Sequence, residues 1–181
     1  ATATSVYTGN DHWPNLYAGA FCLVLVWLYL WNRRITWKEK LPRFGMLLFL
    51  LISFANNQLD YIWHGMHDQY GIPNRFLFVF IFMLLMMTYD AVSHIAEIDN
   101  CFIISAVLLS CAVVFACREQ AGETMEKFAL PVCLVLLIVY GCVCMMRSSK
   151  RMQAATFISV VGSICLVEVV ANAAYGFMDN G

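Results

Sequence analysis

The residues best suited to chemistry in this sequence lie in one polar stretch, WHGMHDQYGIPNRF at positions 63–76. It places His64, His67 and Arg75 in an otherwise apolar chain. Histidine can bind a metal or move a proton near neutral pH, and the arginine guanidinium fits phosphate oxygens. Polar, glycine-containing loops on a rigid scaffold are where binding residues tend to concentrate. This stretch, called the 63–76 segment below, is therefore the first candidate for a functional site.

A metal pair is one interpretation of the two histidines. They are three positions apart, so a helix would place both on one face. However, Gly65 lies between them, Pro73 follows, and Asp68 is the only nearby third ligand. We therefore assign no metal and no cofactor, and interpret His64 and His67 as hydrogen-bonding or structural groups of a polar loop.

Arg75 stands where the third apolar run begins, at an expected boundary between membrane and water. It can bind a phosphate or pyrophosphate, because its fork of donors matches those oxygens. It can equally be an interfacial arginine that lays its stem along apolar surface and extends its charge into water. Residue type and position alone favour neither interpretation.

Glu168 lies inside the last apolar run, in ICLVEVVANAAY. An acid at membrane depth is costly and is a functional candidate by default. Asn56, Asn57 or Arg75 are candidate partners for it on other helices. The alternative is a protonated or hydrogen-bonded carboxyl that serves only helix packing, and the sequence leaves both open.

The elements that position these residues follow from composition. Hydrophobic residues make up 61% and charged residues 13% of the chain, whereas a soluble domain is nearer half apolar and a quarter charged. Because backbone groups in lipid must be satisfied within their own segment, the apolar runs predict helices. The predicted fold is all-α, a polytopic membrane helical bundle with about six transmembrane helices in a single region over 1–181. The runs cover 16–31, 44–57, 76–89, 101–117, 128–146 and 152–177.

Basic residues predict the orientation, since lysine and arginine collect on the cytoplasmic side. The connections at 32–43, 90–100 and 147–151 fall on one side, and two of them carry eight of the eleven basic residues. The other side holds Arg75, Arg118 and Lys127. We therefore expect a multi-pass protein of a cytoplasmic membrane, with the loop 58–75 extracytoplasmic. The acids of the 90–100 link, Asp90 and Glu97, are interpreted as a solvated boundary.

Several function classes find no support in the sequence. It has no phosphate-binding G-x-x-x-x-G-K-[ST] loop, no G-x-S-x-G elbow and no H-E-x-x-H zinc motif. No pattern indicates nucleic-acid binding, so no nucleic-acid partner is expected. The chain starts at an alanine without an initiator methionine, and we expect it to be an internal part of a longer membrane protein.

Four short stretches together resemble the bacterial YfhO-type membrane proteins, a branch of the polytopic GT-C-like glycosyltransferases. They are WPNLYAG at 13–19, NQLDYIWHG at 57–65, PNRFLF at 73–78, and Glu168 with Asn172 in the last run. In that family a WHGF-like loop leads into a P-x-R-F/Y stretch that enters a membrane helix. Here the fourth position of WHGF is Met66, which is a mild departure.

The resemblance implies an enzyme that takes a sugar from a polyprenyl-phosphate carrier in the membrane lipid. It would add that sugar to an extracytoplasmic envelope polymer such as a teichoic acid. Arg75 would hold the carrier phosphate, His64 with Trp63 and His67 would line the donor or acceptor site, and Glu168 would shape the membrane-facing cavity. The catalytic carboxylate of this class lies in an earlier outer loop, so no catalytic residue is assigned here.

Two other functions stay open at this point. A transporter or flippase-like module for a lipid-linked substrate would need a polar path across the membrane, and Glu168 is the one clear intramembrane acid. A non-catalytic membrane scaffold would tolerate changes at Trp63, His64 and Arg75 except for their effect on stability.

Overall fold

The computed structural model describes residues 18–54, 56–63, 65–66, 77–117 and 123–178. Every regular element in this part of the chain is helical, in agreement with the predicted all-α bundle. The elements are α1 (Ala20–Trp31), α2 (Trp37–Phe54), α3 (Asn57–Trp63), α4 (Leu77–Ser93), a 3-10 turn (Ile95–Glu97), α5 (Asn100–Ala116), α6 (Glu123–Ser148) and α7 (Ala154–Met178).

The helix boundaries depart from the apolar runs mainly at α2. This helix begins at Trp37, inside the basic segment, and passes through Pro42. Proline lacks the amide hydrogen that would bond the carbonyl four residues earlier, yet α2 continues past Pro42 to Phe54. Lys40 lies on the first turns, is buried, and donates to the carbonyl of Leu30 at 2.8 Å. This hydrogen bond joins the start of α2 to the end of α1, and burial lowers the pKa of Lys40.

Helix α1 is the centre of the bundle. It contacts α4, α5 and α6. Four of its side chains, on two successive turns, are fully or almost fully buried: Val24, Leu25, Leu28 and Tyr29. The apolar sequence AFCLVLVWLYLW leaves no polar face, which is the pattern of a helix surrounded by others.

The three connections that the alternation of six spans places on one side meet at one end of the bundle. Arg34 Nε pairs with Glu97 at 2.5 Å, and Arg43 pairs with Asp90. The hydroxyl of Ser148 donates to the carbonyl of Ile98. The interpretation of the 90–100 acids as a solvated boundary is wrong for Asp90, which is half-buried and paired. We call this region the basic end.

The two last helices are long and apolar enough to cross a membrane. The stretch Leu130–Ser148 has a mean hydropathy of 2.2 and is 28% buried, and Ala154–Ala173 has a mean hydropathy of 2.1 and is 11% buried. A core helix of a soluble protein would be mostly covered by protein. These stretches instead turn apolar side chains outward, as lipid-facing helices do. α1, α4 and α5 are shorter apolar helices.

The contact between α5 and α6 depends on a glycine. A Cβ built at Gly141 would lie 2.5 Å from Cγ2 of Val107, whereas one at Gly162 in α7 meets nothing within 4 Å. We expect Gly141→Ala to lower the free energy of unfolding by about 1–3 kcal/mol, because the β-branched valine has little freedom to move aside.

Denaturant unfolding in detergent measures this effect. Gly162→Ala is the matched control and should match wild-type stability or exceed it by up to about 1 kcal/mol, because alanine favours a helix over glycine. Adding Val107→Ala to Gly141→Ala should recover part of the loss, and equal stability of the two alanine variants would refute the close contact.

Candidate functional site

The Glu168 carboxylate is held at the meeting point of three helices. It is 8% exposed and lies in an apolar helix. Its Oε1 accepts the backbone N–H of Ala20 at 2.7 Å, and its Oε2 accepts the hydroxyl of Tyr140 at 2.7 Å. Both oxygens are therefore engaged, as a buried acid requires.

Helix α1 begins at this carboxylate. Gly19 directly precedes α1, has φ 81 and provides no side-chain cap for the helix. The left-handed φ favours glycine, and a Cβ there would stand 3.9 Å from both Glu168 oxygens. A negative group near the exposed N–H groups of a helix start is favourable, so Glu168 caps α1 from 148 residues away.

Tyr140 is fixed on its other side as well. Its ring stacks on Phe21 with centroids 4.7 Å apart, and its hydroxyl lies 3.3 Å from Sγ of Cys165. The phenol is thereby kept in one position, and with it Oε2 of Glu168.

A cleft of about 250 Å³ opens beside this network. Its walls are apolar apart from the carboxylate. They are formed by Ala18, Gly19, Ile81, Leu85, Cys165, Glu168 and Val169. The cleft thus lies between the start of α1, the first half of α4 and the second half of α7, and can take an apolar group beside a hydrogen-bond acceptor.

The cleft stands at the end of α1 opposite to the basic end. α1 has 12 residues, which is about 18 Å of helix. Helix α4, whose Ile81 and Leu85 line the cleft, begins at Leu77, two positions after Arg75 in the sequence. The chain therefore enters α4 from the 63–76 segment at the end of that helix nearest the cleft.

Trp63 is the last residue of α3. It is 40% exposed, and its ring lies 6.2 Å from that of Phe49. Beyond it, Gly65 N–H bonds the carbonyl of Ile62 and Met66 N–H bonds that of Tyr61, each at 3.0 Å. This is the paired hydrogen-bond pattern with which many helices end.

The way α3 ends bears on the histidine pair. Gly65 has φ 69 and Met66 has φ 63, so the backbone between the two histidines is not helical. The helix-face argument for a metal pair therefore does not apply, and no group of metal-binding side chains occurs among the described residues.

The other predicted site residues divide into two sets. His64, His67 and Arg75 lie outside the described residues, and their roles stay predictions. Trp63 and Glu168 are described. Trp63 packs on Phe49 of α2, whereas Glu168 bonds residues of α1 and α6.

Among the described residues the partners of Glu168 are Ala20 and Tyr140; of the expected partners, Arg75 lies outside the described residues, and Asn56 has another role. Asn56 instead accepts the backbone N–H groups of Gln58 and Leu59 and so caps α3. Tyr140 carries no signal in the sequence that marks it as a site residue, because a tyrosine in an apolar run resembles any interfacial aromatic residue.

Comparisons with known proteins give one match. A family model for the bacterial membrane protein YfhO matches residues 2–181. No curated protein matches the chain. No solved structure matches it either.

Proposed function

The chain belongs to the YfhO family of bacterial membrane proteins, and from this premise we propose that it takes part in extracytoplasmic glycosyl transfer. The donor would be a sugar on a polyprenyl phosphate in the membrane lipid, and the acceptor an envelope polymer of the teichoic-acid kind. We further propose that the protein is multi-pass in the cytoplasmic membrane, with the basic end inside and the 58–75 loop outside.

The observation that carries the proposal is the Glu168 cleft. It combines apolar walls, which suit an isoprenoid chain, with one fixed carboxylate that can accept hydrogen bonds from a sugar hydroxyl. It also lies at the end of α4 that follows Arg75 in the sequence. A lipid-borne phosphate arriving there would meet a guanidinium suited to its charge.

The geometry favours a positioning role for Glu168. Both carboxylate oxygens already accept a hydrogen bond at 2.7 Å, so proton removal from a substrate would compete with fixed donors. Each oxygen keeps a second lone pair for a ligand hydroxyl. The carboxylate can therefore orient a sugar while another group serves as the catalytic acid or base.

Transport is less well supported by the described part of the chain. A polar path from the cleft to the basic end would need buried polar groups free to meet a substrate. Ser53, Thr88 and Ser110 are buried, but each donates to a carbonyl of its own helix. The described interior between the two ends therefore offers no continuous row of free polar groups.

Trp63 provides a test with a matched control. In the full protein reconstituted in vesicles, Trp63→Ala is expected to reduce sugar transfer at least roughly tenfold, because the loss of an aromatic wall misplaces the donor. Trp37 is 72% exposed and lies on the first turn of α2, toward the basic end, so Trp37→Ala should leave transfer near wild type.

Transfer is measured as labelled sugar recovered in the polymer, with unfolding in detergent followed in parallel. Equal transfer by both variants, at equal stability, would count against a donor site at the Trp63 end and favour the scaffold.

A further inference from the structure

A second cavity, of about 500 Å³, lies at the basic end. Its charged and polar wall residues are Asn32, Arg33, Arg34, Glu97, Asp99 and Lys150. They come from the α1–α2, α4–α5 and α6–α7 connections, so three distant parts of the sequence build one cavity.

The wall of this cavity has more positive than negative side chains. Arg34 is paired with Glu97. Arg33, Lys150 and Asp99 complete the set, and the wall as a whole carries one excess positive charge. A phosphodiester carries one negative charge, whereas a phosphomonoester carries about −1.5 to −2 at neutral pH. The wall therefore matches a diester better than a monoester.

Asn32 is an independent indication of a ligand. It lies on the cavity wall and is 3% exposed. Its Oδ1 accepts the backbone N–H of Arg34 at 2.9 Å, while its Nδ2 has no hydrogen-bond partner. A buried amide donor without an acceptor is unfavourable, so an oxygen-rich ligand at this wall would stabilise it.

Lys150 is held at the cavity wall by the way α6 ends. It is the left-handed residue after the helix, with φ 57. Its N–H bonds the carbonyl of Arg147 at 3.1 Å, and the N–H of Arg151 bonds that of Met146 at 3.0 Å, the paired pattern with which many helices end.

The cavity also has an aromatic wall. Trp31 and Phe102 both line it, with ring centroids 6.0 Å apart. Aromatic rings collect at the level of lipid headgroups, and cationic residues on the cytoplasmic side attract anionic lipids. We infer that this cavity binds the phosphodiester of an anionic glycerophospholipid headgroup, with Arg33 and Lys150 as its charged ligands.

The test is lipid binding by the full protein in detergent, followed by native mass spectrometry. Phosphatidylglycerol, phosphatidylcholine with the same acyl chains and soluble glycerophosphoglycerol are the three probes. We expect phosphatidylglycerol to bind the wild type and the other two to bind at least roughly tenfold more weakly.

Matched variants separate a built site from diffuse attraction. Arg33→Gln and Lys150→Asn, the latter chosen because asparagine tolerates a left-handed φ, should weaken phosphatidylglycerol binding about tenfold. Lys38 and Arg151 are exposed basic neighbours that do not line the cavity. Lys38→Gln and Arg151→Gln should change binding by less than about twofold.

Three results would overturn the inference. Equal losses in all four variants would show diffuse attraction. Equal binding of phosphatidylcholine would remove the charge assignment, and equal binding of glycerophosphoglycerol would replace the lipid by a soluble diester. Because this cavity lies at the opposite end from the Glu168 cleft, each result leaves the proposed sugar transfer untouched.

Discussion

Replacing Arg75 by alanine is expected to reduce sugar transfer by roughly 100- to 1,000-fold, the usual cost of losing one charged donor at a reacting group. The reason is chemical. The leaving polyprenyl phosphate gains negative charge as the sugar departs, and a guanidinium beside it stabilises that charge more in the transition state than in the ground state. The measurement is the initial rate of label transfer in vesicles that contain the full protein.

Arg118 is the matched control for this prediction. It is an arginine on the same predicted outer side, in the connection between α5 and α6, and Arg118→Ala should transfer sugar at close to the wild-type rate. Arg75→Lys should fall between wild type and Arg75→Ala, since a lysine keeps the charge but not the planar fork of donors. Normal transfer by Arg75→Ala would mean that this arginine is only an interfacial residue.

Replacing Glu168 by alanine is expected to lower the free energy of unfolding by about 2–4 kcal/mol, because two buried donors lose their acceptor at once. They are the Ala20 N–H and the Tyr140 hydroxyl. The start of α1 would also lose its only observed side-chain cap. Denaturant unfolding in detergent measures the change.

Two milder variants separate the structural role of Glu168 from its role in the cleft. Glu168→Gln keeps an acceptor for Ala20 and offers an amide donor to the Tyr140 oxygen, so it should cost about 1 kcal/mol or less. Tyr140→Phe removes one donor and should cost about 1–2 kcal/mol. If Glu168 orients the sugar, Glu168→Gln loses transfer while staying folded, and Tyr140→Phe, which releases Oε2, loses a smaller part of its transfer.

Two results would contradict the roles assigned to Glu168. Wild-type stability in that variant would show that the carboxylate does not hold α1 and α7 together. Loss of transfer in proportion to loss of folded protein, in all three variants, would show that Glu168 serves packing alone.

Much of the fold could be predicted from the sequence, because apolar runs in lipid have few alternatives to helices. Every run corresponds to a described helix, and the three connections that alternating spans place on one side meet at one end of the bundle. The start of α2 at Trp37 was not predictable, since its first turns are charged and contain Pro42. Their helical state depends on the burial of Lys40 and the pairing of Arg43 with Asp90.

The candidate site was less accessible to sequence reasoning. An acid within an apolar run marks Glu168 at once, because such a residue needs a partner. The identity of the partner depends on tertiary packing: Tyr140 is 28 residues away and the Ala20 amide 148 residues away, and neither carries a sequence signal of that pairing. A glycine before α1 is visible in the sequence, but its left-handed φ and its approach to Glu168 are not.

The most direct test of sugar transfer follows the label itself. Vesicles that contain the full protein and a polyprenyl-phosphate-linked labelled sugar on the outer leaflet are incubated with the envelope polymer. We predict that the label appears in the polymer and that little appears there with Arg75→Ala. Label that stays on the lipid and moves to the other leaflet would contradict the account and identify a transporter.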